Sequence, residues 1–429
     1  MTINLKNLFY LLLVSFIQFP IRINGYEYLT YIIIYGIPLI YSLMNIGRLN
    51  SIWLKVRKSY LAISLVIIMY LFIVSFLWPL IYCSYDFTFI TDFWRRTGLL
   101  LLKNLFLFLV YIRIYKNNLS IENYFNFYIK AVMLYVVFTF SIIFLPEIRE
   151  HIINIVYLTP KNLMDLQDPS YFTRIGWIGW SGFNETMHCT VAVLLCCSFI
   201  IFYNNNKYKQ LKYLLYSLVL IVGNMFYGRS GLTISAFALV YVYCFMLKKL
   251  KIKFIIVTSL IMFAFLFGII VLKDYSESAN MWYNWVFSAF INFYQSGRFR
   301  DSTGSVSMLI DNMYWMPPID TFLFGDGRFT GDDGTYYMHT DSGIMRAILF
   351  YGVINYFLYF IAGSVVLQKV TKKFSGLFMK KNLVFALFFL AAIAFEVKGN
   401  ALEKIIILVL PMYFIVGDDS NGKCNNEYL

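Results

Sequence analysis

Charge is scarce in this chain: only 14% of its 429 residues are charged, against roughly 25% in an ordinary soluble domain. With 60% hydrophobic residues, the excess of apolar surface does not fit a soluble core, whereas a bilayer absorbs it. Metal and redox patterns are missing as well. Cys83, Cys189, Cys196, Cys197, Cys244 and Cys424 show no zinc or redox spacing, and read as small, polarizable packing residues. There is no Walker A loop, no serine-triad elbow and no Asp-x-Asp pair, which leaves ATP-driven transport and metal-dependent glycosyl transfer without support. The absence of an internal repeat argues against an inverted-repeat transporter. The net charge of +13 sits in short basic runs between apolar stretches, a topology signal and not a nucleic-acid footprint.

What is present is a succession of apolar runs. They fall near 7–22, 28–46, 59–82, 98–115, 125–145, 184–203, 213–228, 231–247, 254–272, 343–366, 383–397 and 401–417. Runs of this length cross a ~30 Å hydrocarbon core as helices. Being continuous and not alternating, they exclude a barrel. The expected fold is therefore an all-α integral membrane protein with about 12 transmembrane helices and one large structured extracytoplasmic loop. The opening run lacks a small-x-small cleavage site and reads as a retained first span. Placing both termini in the cytoplasm puts about 20 Lys and Arg inside and about 14 outside, most of the latter in long loops that the positive-inside rule discounts. The resulting division is spans 1–5 over 1–145, a smaller outer loop over 146–183, spans 6–9 over 184–272, a large outer loop over 273–342, spans 10–12 over 343–417 and a cytoplasmic tail over 418–429.

The large loop is too aromatic for a linker, and a stretch from Met281 to Tyr294 reads as an interfacial amphipathic helix. Four constellations could carry chemistry. In Tyr227-Gly228-Arg229-Ser230-Gly231, Arg229 is either an interfacial snorkelling side chain or an anion clamp, whose planar fork suits phosphate while flanking glycines let backbone approach. Ser296-Gly297-Arg298-Phe299-Arg300-Asp301 is either a solvated surface group or a second basic site. Phe324-Gly325-Asp326-Gly327-Arg328-Phe329 leads to Met338-His339-Thr340-Asp341-Ser342-Gly343 and Arg346, where His339 is able to exchange a proton near neutral pH. Asp326, Asp332 and Asp333 do not have the spacing of a calcium loop. Last, Phe395-Glu396-Val397-Lys398-Gly399-Asn400, followed by Glu403 and Lys404, places charges at a membrane edge, where they neutralise one another or line the same outer cavity.

In their order along the chain, "GRSGL", "SGR", "FGDGRF", "HTDSGIMRAILFYGVI" and "EVKGN" resemble the O-antigen polymerase (Wzy-type) family and, more distantly, the O-antigen ligases. The likeness covers roughly residues 220–400, and Asn355 stands where the family pattern ends on glycine. The resemblance implies a metal-independent, cofactor-free glycosyltransferase in the bacterial inner membrane with its site facing the periplasm. Its substrates would be undecaprenyl-diphosphate-linked oligosaccharides, as donor and acceptor, for O-antigen or a similar surface polysaccharide. Its partners would be membrane lipid, a chain-length regulator and a flippase, with no nucleic acid. It carries catalytic roles onto Arg229, Arg298 and His339, and substrate binding onto Arg300, Arg328, Asp341, Arg346, Glu396 and Lys398. Asp341 would hold the His339 imidazole or bind sugar hydroxyls. The alternatives are a ligase transferring glycan to lipid A core and a non-enzymatic flippase of lipid-linked sugars.

Overall fold

The computed structural model describes residues 5–50, 61–116, 119–167, 173–203, 206–247, 277–297, 311–375 and 382–415, with scattered positions over 256–274. Seven helices among them are long and apolar enough to cross a membrane: Glu27–Met44, Leu61–Ile81, Ile90–Ile114, Ile121–Ile143, Phe183–Phe202, Arg229–Met246 and Val353–Lys372. At 1.5 Å per residue, 18 residues or more reach across the hydrocarbon core. The chain is thus a multi-pass, helical membrane protein; a two-stranded hairpin, Ile175–Gly176 with Gly179–Trp180, is the only named sheet among the described residues.

The twelve expected spans are not all of this kind, for identifiable reasons. The opening helix, Leu5–Gln18, and the helix Leu383–Glu396 are apolar but short. Lys207–Tyr227 is long, yet Lys207, Lys209 and Lys212 crowd its first two turns. The run at 254–272 lies mostly outside the described residues. The run beginning at 343 is two helices, Gly343–Tyr351 and Val353–Ser375, broken at Gly352. The last run is likewise two pieces, Leu402–Val409 and Pro411–Ile415, because proline removes a helical hydrogen bond and crowds the preceding turn.

The chain divides into two units, Met1–Ile34 with Glu122–Ser307, and Tyr35–Ile121 with Met308–Leu429. In the first, every residue from Thr186 to Ile200 of the helix Phe183–Phe202 is buried, as expected of a helix apolar on all sides. The helices Lys207–Tyr227 and Arg229–Leu247 pack on it, and its three cysteines are fully enclosed. The aromatic loop helix is longer than the sequence suggests, Glu277–Ser296. It buries Trp282 and Val286 while Phe290, Phe293 and Tyr294 stay exposed.

In the second unit, Val353–Ser375 packs against Leu61–Ile81, Leu383–Glu396 and Leu402–Val409. Its core gathers Val74, Phe89, Phe93, Phe329, Ala347, Phe350 and Tyr351. The Gly352 break has a local cause. Gly352 adopts φ +82°, and a Cβ there would lie 2.1 Å from the Leu323 carbonyl oxygen. The chain at 325–327 fastens onto the same helix end: Asp326 N donates to Leu349 O (2.7 Å) and Gly327 N to Phe350 O (3.2 Å).

Gly352→Ala should lower the stability of the detergent-purified protein by at least about 1–3 kcal/mol from the left-handed backbone alone. Gly98→Ala, with nothing within 4 Å of its added Cβ, should not. Thermal unfolding compares them, and equal midpoints would show that the break is not fixed by Gly352.

Candidate functional site

The segment after the short helix Ile319–Phe324 is a tight turn because Gly325 (φ +77°) and Gly327 (φ +61°) both take left-handed backbone, which glycine adopts without steric cost. From there Thr330 bridges to Tyr336 in antiparallel fashion, and Tyr337 N donates to Phe329 O (3.1 Å). This small loop sets two rings around one cation. The Arg346 guanidinium carbon lies 3.8 Å from the Phe329 ring centre and 3.7 Å from that of Tyr336. Each such contact is worth about 0.5–2 kcal/mol, more where water is excluded. The two rings, with centres 6.5 Å apart and tilted 61° to one another, crowd a cation whose N–H fork matches an oxyanion. Arg346 Nε makes no hydrogen bond to any described residue, and Asp92 and Asp341 are the carboxylates acting on the group.

Beside Arg346 the third and fourth sequence constellations meet. A Cβ on Gly343 would lie 2.6 Å from Gly399 C, 2.7 Å from Asn400 N and 2.8 Å from Glu396 O, so the helix Gly343–Tyr351 starts directly against the turn after Glu396. Ser342 caps that start, its hydroxyl accepting from Met345 N. Glu396 is 1% exposed, and its Oε1 accepts the Ala401 and Leu402 N–H groups, 2.8 Å each. Tyr359 donates to Glu403 Oε2 (2.6 Å), and Tyr314 donates to the Val397 carbonyl (2.6 Å). Burial pushes the Tyr314 phenol up; a hydrogen bond with Ser342 opposes this, and the Glu396 and Asp341 charges reinforce it. Glu396 Oε2, Asn400 Oδ1, Glu403 Oε1 and Asp341 Oδ1 are buried without a hydrogen-bond partner among the described residues. The corner is therefore rich in acceptors, next to a guanidinium. Asn400 and Glu403, expected only as part of the charged turn, belong to it, and so does Tyr314, which no motif marks. The ring pair Phe329–Tyr336 was also missed, because no spacing rule couples residues 329, 336 and 346 across a loop.

His339 sits elsewhere in this loop. It and Met338 have positive φ, 55° and 53°, a conformation that costs non-glycine residues of order 1 kcal/mol or more and clusters at functional sites. The imidazole is exposed, with Nδ1 3.2 Å from Thr335 Oγ1 and 3.8 Å from Asp333 Oδ2. The carboxylate at the imidazole is thus Asp333, not Asp341. Asp333 is held below the usual carboxylate range by the Thr335 N–H, then by the Thr335 hydroxyl. Arg328 is 3.9 Å from Asp332 in a loose exposed pair, and Lys398 is half-buried in the turn after Glu396.

Arg229 belongs to the first unit, apart from these residues in the division of the chain. Its Nη1 donates to Ser288 Oγ (3.1 Å) and to Trp285 O (3.5 Å), and its guanidinium carbon stands 5.2 Å from the Trp285 ring centre. The neighbouring glycines serve packing and not ligand approach. A Cβ on Gly231 would lie 2.3 Å from Thr186 Cγ2, and one on Gly228 2.6 Å from Thr186 Oγ1. Arg298 and Arg300 lie outside the described residues. Among the described residues, no group of three or more His, Cys, Asp or Glu side chains could hold a metal ion.

The chemistry available to this corner is oxyanion binding at one edge and acceptance of hydroxyl protons beside it. Arg346→Lys, which keeps the charge but loses the fork, should weaken inorganic pyrophosphate binding about tenfold or more. Tyr336→Leu, removing one ring, should weaken it several-fold, about 0.5–2 kcal/mol. Calorimetric titration of the purified protein measures both; unchanged affinity in Arg346→Lys would remove the oxyanion role. The chain matches no family model, and no curated protein is similar to it in sequence.

Proposed function

We propose that the chain polymerises undecaprenyl-diphosphate-linked oligosaccharide repeat units of an O-antigen or similar surface polysaccharide. It acts as a metal-independent glycosyltransferase of the bacterial inner membrane, with both termini cytoplasmic and the site facing the periplasm. What supports this reading most is the meeting of three motif segments in one corner. "FGDGRF" supplies Phe329, "HTDSGIMR" supplies Asp341 and Arg346, and the "EVKGN" turn packs directly on Gly343.

In the reaction, the acceptor hydroxyl oxygen attacks the anomeric carbon of the growing glycan. A glycosidic bond forms, the bond from that carbon to the diphosphate oxygen breaks, and the electron pair leaves with undecaprenyl diphosphate. Negative charge grows on the diphosphate, and fixed cations aimed at it lower the barrier by typically ~3–4 kcal/mol per donor. Arg346 takes this role in the corner; the motif resemblance alone assigns it to Arg229 and Arg298, and a supporting positive field to Arg300, Arg328 and Lys398. His339 takes the hydroxyl proton, its imidazole beside Asp333, and Asp341 and Glu396 accept hydrogen bonds from sugar hydroxyls. Membrane lipid surrounds the spans; a chain-length regulator and a flippase are the partners this reaction calls for.

Deleting the gene in its host should leave surface core bearing a single repeat unit in place of long polymer on a gel. Wild type should restore the polymer, and Arg229→Lys should restore little, because the fork is lost. Bare core with accumulated lipid-linked polymer would instead assign a ligase. Normal polymer from Arg229→Lys would remove that residue from the site.

A further inference from the structure

The segment joining the helix Leu61–Ile81 to the π-turn Ile90–Trp94 has no role in the sequence reading, yet it grips the loop that carries the rings. Asp86 Oδ2 accepts both the Phe329 and the Thr330 backbone N–H, 2.7 Å each. Its Oδ1 accepts the Thr88 N–H at 2.9 Å and the Thr88 hydroxyl. Thr88 Oγ1 in turn lies 2.6 Å from Thr330 Oγ1, and Ser84 Oγ donates to Gly327 O (2.7 Å). A carboxylate taking several N–H and O–H donors is a strong, directional anchor. Cys83 and Tyr85 hold left-handed backbone, φ 51° each, strain that persists only where surrounding contacts over-determine it.

We propose that Asp86 is a positioning residue for Arg346. By fixing the backbone of Phe329 and Thr330, it places the Phe329 ring against the guanidinium. Through the Thr330–Tyr336 bridge, it places the Tyr336 ring against the same group. From the apolar side, Phe89, three residues beyond Asp86, stacks on Phe350 at 4.4 Å and meets Phe329 edge-on at 5.0 Å. The ring is thus held by its backbone and by its edge. Rings so fixed restrict the guanidinium, which narrows the directions from which an oxyanion can meet it. That this oxyanion is a departing diphosphate rests on the polymerase reading; the box itself does not. Although burial opposes it, hydrogen bonds from Thr88, Phe329 and Thr330 hold the Asp86 carboxyl below the usual range. The sign follows: the anchor is in place above the ordinary carboxylate pKa and is lost only as pH falls through the lowered one.

Asp86→Asn keeps the size of the side chain but presents an NH2 group to one of its two sets of donors, whichever way the amide turns. In protein purified in detergent, amide hydrogen exchange over 327–337 should accelerate about tenfold or more, while Val353–Ser375 stays as protected as in wild type. Phenylglyoxal should modify Arg346 several times faster, read by mass spectrometry of its peptide. In a gene-deletion strain, the variant should lose polymer to the extent that Arg346→Lys does. Arg346 reacting at the wild-type rate in Asp86→Asn would overturn the proposal, as would normal polymer with a loosened loop. If deleting the gene itself leaves the polymer unaltered, the polymerase reading fails, and phenylglyoxal reactivity still decides the box. Should Asp86→Asn not fold, Thr88→Val removes one hydroxyl with Asp86 in place. A smaller rise in Arg346 reactivity is then expected, and none would overturn the proposal.

Discussion

The second unit depends on a backbone-to-backbone contact that no side chain could replace. At 349–352 the helix Gly343–Tyr351 ends under the chain at 323–327, where the Asp326 and Gly327 N–H groups donate to the Leu349 and Phe350 carbonyls at 2.7 and 3.2 Å. Both partners are glycine at the closest points, because a Cβ on Gly325 would lie 2.4 Å from Phe350 O and one on Gly352 2.1 Å from Leu323 O. Only glycine combines that proximity with positive φ. The consequence propagates along the chain: the loop that begins at Gly325 reaches Phe329 already fixed against the helix that carries Arg346. At the other end of that helix, the Gly343 contact with Gly399 and Asn400 brings the buried carboxyl of Glu396 to the same helix.

Arg229 and Arg346 illustrate two ways of holding a guanidinium in a membrane protein. Such a group is expensive in hydrocarbon and must face water, protein or an anion. Arg229 gives one nitrogen to Ser288 and the Trp285 carbonyl and lies against one ring. Arg346 instead lies 3.8 and 3.7 Å from two ring centres, and its Nε makes no hydrogen bond to a described residue. Ring contact stabilises the ion without consuming its donors, and this makes Arg346 the better-prepared oxyanion partner of the two.

Much of the architecture was legible because hydropathy reports membrane spans directly. The runs at 59–82, 98–115, 125–145, 184–203 and 231–247 each correspond to a helix able to span. Where the reading diverged, hydropathy was blind to backbone geometry. It does not distinguish one helix from two joined at Gly352, nor register that Pro411 interrupts the last run. A turn forms at the glycines of "FGDGRF", whereas those of "GRSGL", which suggest room for a ligand, admit Thr186. His339 and Asp341 stand two apart in sequence, yet the imidazole lies beside Asp333, with left-handed backbone at Met338 and His339 that no spacing rule anticipates. Asp86 could not have been found from the sequence. It acts across 243 and 244 residues of separation, and a lone carboxylate between apolar runs reads as an ordinary loop residue.

In the proposed reaction Arg346, held against the Phe329 and Tyr336 rings, meets the diphosphate of the lipid carrier. The most direct measurement is an electron cryomicroscopy map of the protein bound to undecaprenyl diphosphate. Phosphate density in the plane of the Arg346 guanidinium, within hydrogen-bonding distance of its edge, is the expected result. A diphosphate held elsewhere, with the box closed and the edge of Arg346 turned to protein, would contradict it.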